Sequence, residues 1–219
     1  MIALWLMLGI VVIVLIGLVV ALVSRKKGRD DLRAFATSQG GRWHDSSSGT
    51  RPGFGVRPDE RYTFALEFGR QGVPVVAFQG VDTVGGDTTV WHKVRVGAPM
   101  TPRLCLYKIG PVDRPDSPMH QMMLRTYIPA SVSRELAEWP VPDPALRPLI
   151  AVYTADPRFA DTVLTPAFLH WYTGAVPPLS PGIDVGDGVA SSRITGPMSI
   201  ASVTQVTDRL LAVAHGIAR

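Results

Sequence analysis

The first 23 residues carry no charged side chain and restrict the fold more than any other part of the chain. They read MIALWLMLGIVVIVLIGLVVALV. At a helical rise of roughly 1.5 Å per residue such a segment extends about 34 Å, enough to cross a hydrocarbon core of about 30 Å. The sequence therefore predicts a transmembrane helix over residues 1–24, to which the rest of the chain is attached.

A cleaved secretory signal is the alternative interpretation of this segment. Signal peptides carry basic residues before a short apolar core and a small-residue cleavage site after it. Here the nearby basic residues all follow the apolar run, at Arg25, Lys26, Lys27, Arg29 and Arg33. Because basic residues flank membrane helices on the cytoplasmic side, this asymmetry predicts a single-pass protein of the cell membrane, with its N-terminus outside and its C-terminal domain in the cytoplasm.

Most of the excess positive charge lies beside the apolar run. Residues 24–33 hold five of the 22 basic and two of the 18 acidic residues, so the rest of the chain has a net charge of only +1. We therefore predict a basic juxtamembrane segment over residues 25–33, a domain over 34–219, membrane lipid as a partner and no nucleic-acid partner. Arg25, Lys26, Lys27 and Arg29 are the predicted membrane-surface residues; a pure topology signal explains the same residues.

Two small residues give the apolar run a possible contact surface. Gly17 and Ala21 are four positions apart, so they share one face of a helix. Small residues at this spacing allow a second helix to approach closely, although glycine is common in membrane helices generally. We predict helix packing at this face, with a membrane-protein partner.

Alternation of apolar and polar residues predicts a sheet after residue 61. Tyr62, Phe64, Leu66 and Phe68 alternate with smaller or polar residues, which is the period of a half-buried strand. Further strands are predicted at 73–81, 88–96 and 103–109, and the short connections predict one antiparallel meander. The residues 46–61 before them, rich in Ser, Gly, Pro and Arg, are interpreted as a mobile loop.

The C-terminal third has helix and turn signals. Asp156 before Pro157, and Thr165 before Pro166, predict two helix starts. Other predictions are a helix at 30–39, a fifth strand at 122–128, a buried strand at 149–154, a hairpin around residues 186–188, and a terminal helix with a capping box at Ser202 and Gln205. The predicted fold class is α+β: one N-terminal transmembrane helix followed by an antiparallel meander packed against C-terminal helices.

The sequence has no motif that assigns a reaction. It lacks a phosphate-binding P-loop, a dinucleotide fingerprint, an HExxH helix, a paired CxxC and a GxSxG elbow. The one cysteine, Cys105, lies in an apolar run and reads as a buried small residue. No two of the five histidines show metal-ligand spacing. We predict no catalytic residue, metal or cofactor.

Several segments together resemble a known group of proteins. The N-terminal span followed by RKK, the GGRWH segment, the strands around YTFALEFGRQGVPVVAFQGV, the DPRFADTVLTP segment and the closing helix from Ser202 are similar to the uncharacterised single-pass membrane proteins of high-GC bacteria in the DUF3137 group. The resemblance implies an anchored α+β domain and carries over no catalytic residue.

Two functions follow as expectations. The first is a non-enzymatic accessory or interaction subunit of a membrane or envelope assembly. The alternative is a membrane-anchored enzyme or binder of a lipid or lipid precursor, with its site between the sheet and the C-terminal helices. A deep pocket at that interface favours the second, and a filled core there excludes it.

Overall fold

The first element is one long helix, α1 (Ile2–Ser38), which contains 37 residues. The structure is a computed structural model that describes residues 2–84, 86–109, 128, 130–175 and 182–218. Helix α1 runs without a break through the boundaries predicted at residues 24 and 33, so no separate helix begins at Asp30. It ends just before Gly40, whose φ of +68° reverses the chain. Leu32 and Ala36 are buried near its C-terminal end.

The membrane predictions need correction. Among the residues that the structure describes, no helix combines the length and the hydropathy that a bilayer crossing requires. The predicted transmembrane helix over 1–24, the single-pass anchoring and the N-out, C-in localisation are therefore not supported.

The rest of the described chain contains nine strands and four further helices. The strands are β1 (Arg42–Asp45), β2 (Phe64–Arg70), β3 (Val73–Val84), β4 (Asp87–Gly97), β5 (Leu104–Lys108), β6 (Ala137–Trp139), β7 (Ile150–Thr154), β8 (Ile183–Gly186) and β9 (Val189–Thr195). The helices are α2 (Ala130–Glu135), α3 (Pro157–Val163), α4 (Pro166–Ala175) and α5 (Ile200–Ile217), and a 3-10 turn spans Ser46–Ser48. Of the strand predicted at 122–128, residues 122–127 lie outside the described residues.

All nine strands form one antiparallel sheet in the order β1-β2-β3-β4-β9-β8-β5-β7-β6. The predicted meander holds for its first three strands, which are β2, β3 and β4, and fails at its fourth, which is β5. Strand β5 pairs with β7 and β8, because the β8–β9 hairpin lies between β4 and β5. Alternation identifies a strand and its buried face but does not name its neighbour, so a late hairpin can separate strands adjacent in sequence.

One face of the sheet is covered by helices. Helix α5 packs on β4 and β9, and α1 packs on β1 and β2. In α4, Tyr172 is fully buried and its hydroxyl donates a hydrogen bond of 3.1 Å to the carbonyl of Leu106 in β5. The core that joins this face to the helices contains 32 buried residues, among them Leu66, Leu106 and Leu210. The antiparallel sheet and the C-terminal helices of the prediction therefore meet in a filled interface.

The helix starts follow local sequence closely. The Asp156 carboxylate accepts from the amides of Arg158 and Phe159 at 2.9 and 3.4 Å, and the Thr165 hydroxyl accepts from the Phe168 amide at 3.2 Å. Both predicted starts are confirmed. Helix α5 begins one turn earlier than predicted, because Ser199 is the N-cap and Ser202 is its partner in the capping box.

Within the described ranges, the second face, here called the open face, is covered at its two ends. At one end residues 49–62, here called the strap, place Phe54, Val56 and Tyr62 against apolar side chains of β2, β3 and β4. At the other end, Val132 and Leu136 pack on an apolar cluster formed by β5 and β7. The segment predicted to be a mobile loop is therefore packed on the sheet, and a polar surface remains between the two coverings.

A buried histidine on the helix-covered face makes stability depend on pH. His92 is 2% exposed, its Nδ1 donates to the Gly196 carbonyl at 3.0 Å, and its Nε2 has no partner among the described residues. Burial lowers the pKa of His92 below its ordinary value of 6.5, and the Gly196 hydrogen bond only partly opposes this. The unfolded chain then binds the proton more readily than the folded chain, so this contribution to stability is complete above pH 6.5 and is lost as the pH falls below it.

We expect the free energy of unfolding to fall by up to about 1.4 kcal/mol per pH unit below pH 6.5, as measured by urea unfolding. Replacing His92 with Phe should remove most of this slope. The exposed His215 on α5 provides the control, since His215→Gln should leave the slope unchanged. An identical slope in His92→Phe would contradict the assignment.

Candidate functional site

The open face carries a row of nine directly paired residues, one from each strand. In sheet order they are Arg42, Glu67, Val76, Arg95, Ser191, Asp184, Cys105, Tyr153 and Glu138. Directly opposite residues in antiparallel strands point to the same face. The centre of the row therefore places Arg95, Ser191 and Asp184 side by side in the middle of the open face, with Arg95 and Asp184 two strand spacings, or about 10 Å, apart.

On one side of Ser191, a carboxylate of the strap joins two cations of β4. Glu60 accepts from Arg95 through both carboxylate oxygens, at 2.5 and 2.7 Å, and Lys93 Nζ lies 3.4 Å from Glu60 Oε1. Arg95 also donates to the carbonyl of Gly55, and its guanidinium lies 5.2 Å from the ring centre of Phe78. The Arg95 side chain is only 6% exposed, so these partners take the place of nearly all the water that would hydrate the guanidinium.

The charges of this cluster shift the titration of its members. Burial raises the pKa of Glu60, but hydrogen bonds from Arg95 and the Arg57 amide, with the charges of Arg95 and Lys93, outweigh burial and hold the pKa below its usual value. Burial, followed by the positive charge of Arg95, lowers the pKa of Lys93. Glu60 is therefore the ionised partner of both cations.

On the other side of Ser191, Arg103 joins two carboxylates. It donates to Asp184 at 3.2 and 2.9 Å and to Glu135 of α2 at 2.8 Å. Two-point pairing with Asp184 fixes the plane of the guanidinium. Arg103 therefore holds α2 against the sheet, just as the ion pair of Glu60 with Arg95 holds the strap.

Between these two clusters lies a cleft of about 510 Å³. Its charged lining consists of Arg57, Lys93, Arg95, Arg103, Asp184 and Asp187. Ser191 and Val189 of β9 also line it, and the strap supplies Gly55 and Val56. The volume is that of a small-molecule site, and the lining favours a charged, polar ligand over an acyl chain.

The cleft and its surroundings lack an activated nucleophile in the described part of the chain. Cys105 is next to Asp184 in the row but is fully buried, and burial, aided by the Asp184 charge and opposed by Arg103, raises the pKa of its thiol to about 12. His44 contacts Glu67 at 3.1 Å rather than Asp45. Among the described residues no group of three or more His, Cys, Asp or Glu side chains is placed to hold a metal ion.

The state of Cys105 leads to a labelling prediction. Because the thiol is fully buried and its pKa is raised to about 12, the unreactive protonated form predominates at pH 8. We expect iodoacetamide to modify Cys105 in 6 M urea within minutes and to leave the folded chain unmodified over hours, as followed by intact-protein mass. Equal rates in the two conditions would show that the thiol is accessible.

One of the basic residues predicted to face a membrane surface, Arg29, lies where α1 meets β1. Arg29 forms an ion pair with Asp45 at 2.7 Å and lies 5.7 Å from the ring centre of Trp43, which stacks on Phe64 with a centroid distance of 4.7 Å. Arg33 lies 6.0 Å from the same Trp43 ring. Arg29 therefore attaches the helix to the sheet.

Lys26 and Lys27 are exposed, whereas the side chain of Arg25 lies outside what the structure describes. A membrane-surface role for these residues stays a prediction. A Cβ added at Gly17 would meet nothing within 4 Å, and the Ala21 side chain is outside the described set. Within the described residues, nothing therefore packs at Gly17. Helix packing at Gly17 and Ala21 stays a prediction, and a transmembrane partner is not supported.

The fold and the cleft together define an α+β protein with a single antiparallel sheet, whose longer helices pack on one face and whose other face carries a charged cleft. No protein family and no curated sequence matches the chain. In structure it is similar to the mycobacterial trehalose monomycolate transport factor A, TtfA, with a TM-score of 0.47 and 13% identity over 83% of this chain and 92% of that chain. A similarity at this level carries no functional argument. The resemblance to the DUF3137 group stays a prediction.

Proposed function

We propose that this chain is a non-enzymatic binding protein, an accessory subunit whose open-face cleft holds a small charged ligand. One observation carries the proposal: the cleft has the volume of a ligand site, and its walls present fixed cations and carboxylates on either side of Ser191. Charged groups held in place by partners lose little freedom when a ligand binds.

The chemistry of the lining supports binding over catalysis. A general acid at neutral pH requires a carboxyl group with a raised pKa, whereas the pKa of Glu60 is lowered. Cys105, the cysteine in the row, is buried with its pKa raised to about 12. These features describe a site that recognises charge and leaves the ligand intact.

The expected alternative, a lipid site between the sheet and the C-terminal helices, has no space among the described residues. Leu106 of β5, Val185 of β8 and Leu210 of α5 are each at most 1% exposed within the packed core at that interface. A lipid chain would have to displace this core, which costs several kcal/mol for each large side chain moved. The open-face cleft is the better site.

The test is calorimetric titration of the full-length protein with two compact polyanions, inorganic pyrophosphate and citrate. Ser191→Leu should occupy the cleft floor without disturbing the core, because the added atoms enter open space. Ser46→Leu, at an exposed serine outside the cleft, is the matched control. We expect the wild type and Ser46→Leu to bind at least one probe and Ser191→Leu to bind neither.

Three results would overturn the proposal. The first is the absence of binding to both probes in the wild type, and the second is binding that Ser191→Leu retains in full. The third is release of orthophosphate from bound pyrophosphate, because turnover would make the protein an enzyme.

A further inference from the structure

Glu60 occupies an anion site built by the sheet. Its two carboxylate oxygens accept hydrogen bonds from the two terminal nitrogens of the Arg95 guanidinium, and Oε1 lies 3.4 Å from Lys93 Nζ. Both cations stand on β4, whereas Glu60 comes from the strap, which has no strand pairing of its own. The sheet thus presents two cations toward the cleft, and a loop supplies the anion that neutralises them.

This arrangement couples the strap to the charge of Arg95. The Arg95 side chain is 6% exposed, and among the described residues Glu60 is its one carboxylate partner. If the strap lifts without replacement, the Arg95 guanidinium loses the carboxylate that pairs with it at two points, which opposes release. An external anion bound at the same place removes that penalty, so strap release and anion binding favour each other.

The other attachments of the strap are few. The Gly53 amide donates to Glu67 at 3.2 Å, the Gly55 carbonyl accepts from Arg95, and Phe54, Val56 and Tyr62 rest on the sheet. Two further hydrogen bonds, from Arg51 to the Pro58 carbonyl and from the Tyr62 hydroxyl to the Thr50 carbonyl, join residues within the strap and do not attach it to the sheet. Segments with few buried contacts and exposed backbone open at low free energy.

We propose that the ligand of the cleft carries a compact anionic group, phosphate or carboxylate, that replaces Glu60 at Lys93 and Arg95 and thereby releases the strap. This inference rests on the proposed function and specifies the ligand chemistry and the segment that responds. A phosphate or carboxylate matches the Arg95 fork at two points, as the Glu60 carboxylate does.

The first test compares Glu60→Gln with Asp59→Asn in calorimetric titrations of the full-length protein. Asp59 is an exposed neighbour in the same strap, so its variant matches the charge change without touching Arg95. Removing the internal competitor should tighten pyrophosphate or citrate binding by about tenfold in Glu60→Gln and leave Asp59→Asn like the wild type. The phosphate and carboxylate probes show which anion the site prefers.

The second test is limited trypsin digestion at the bond that follows Arg61 in the strap, because Arg51 and Arg57 each precede a proline and trypsin does not cleave there. The probe that binds should speed cleavage in the wild-type strap by about threefold or more, within the usual range of allosteric coupling. Sodium chloride at the same ionic strength should leave the rate of cleavage unchanged. In Glu60→Gln the strap should be cleaved quickly without any probe.

The outcomes separate the two proposals. If a probe binds the cleft but Glu60→Gln binds it no more tightly than the wild type, or if chloride speeds cleavage equally, the exchange at Glu60 is wrong while the binding function stands. A second variant, Lys93→Gln, covers the case in which Glu60→Gln does not fold. It should weaken probe binding about tenfold, and unchanged binding would overturn the exchange.

Discussion

Replacing Gly41 with alanine should destabilise the protein by about 3 kcal/mol, because backbone occupies the space that a side chain would need. Gly41 connects α1 to β1, and a Cβ there would lie 2.1 Å from the Glu67 carbonyl oxygen and 2.7 Å from Phe68 Cβ in β2. The β2 backbone cannot yield without breaking its pairing with β3. Urea unfolding followed by tryptophan fluorescence measures the loss.

Gly69 in β2 provides a matched control. A Cβ at Gly69 would meet nothing within 4 Å, and glycine inside a strand costs backbone entropy. We expect Gly69→Ala to leave the free energy of unfolding unchanged or to raise it by about 0.5 kcal/mol. If Gly41→Ala were as stable as Gly69→Ala, α1 would not lie against β2 as the structure shows.

Replacing Glu60 with methionine should cost about 3 kcal/mol, because it leaves Arg95 buried without a carboxylate. The reverse change, Arg95→Met, should cost less, since the Glu60 side chain is 20% exposed and keeps Lys93 nearby. The double variant places two apolar side chains together and should recover to within about 1 kcal/mol of the wild type.

Urea unfolding of the four proteins gives this cycle directly. A coupling of about 2 kcal/mol or more between positions 60 and 95 is the expected result. Additive losses would show that the strap is not held through the ion pair. Added pyrophosphate should stabilise Glu60→Met more than the double variant, because only Glu60→Met retains Arg95 without its carboxylate partner.

Features decided by a few neighbouring residues could be predicted from the sequence. The turn of the β8–β9 hairpin follows from Asp187 and Gly188, which adopt φ values of +53° and +77°. The caps at Asp156 and Thr165 form where the residue types required them. The sequence favours Ser202 as the cap of α5, whereas the cap is Ser199, because serines three residues apart offer the same local chemistry.

The candidate site could not be predicted, although each of its residues was visible. Lys93 and Arg95 read as the polar positions of an alternating strand, and Glu60 lay in a segment interpreted as a mobile loop. Their pairing depends on a strap that folds back over β4, 35 residues away in sequence. Charged residues clustered on one strand face, near a loop that contains a carboxylate, were the available signal.

The sequence by itself determined strands β2 to β5 and β7, the turn of the β8–β9 hairpin and the helix starts at Asp156 and Thr165, since these depend on periodicity and on hydrogen bonds within about four residues. Tertiary structure decided that β9 lies beside β4, that the row joins all nine strands, and that an open face with a charged cleft remains. Strand order and long-range ion pairs arise from the packing energy of the whole sheet. No short stretch of the chain encodes that energy.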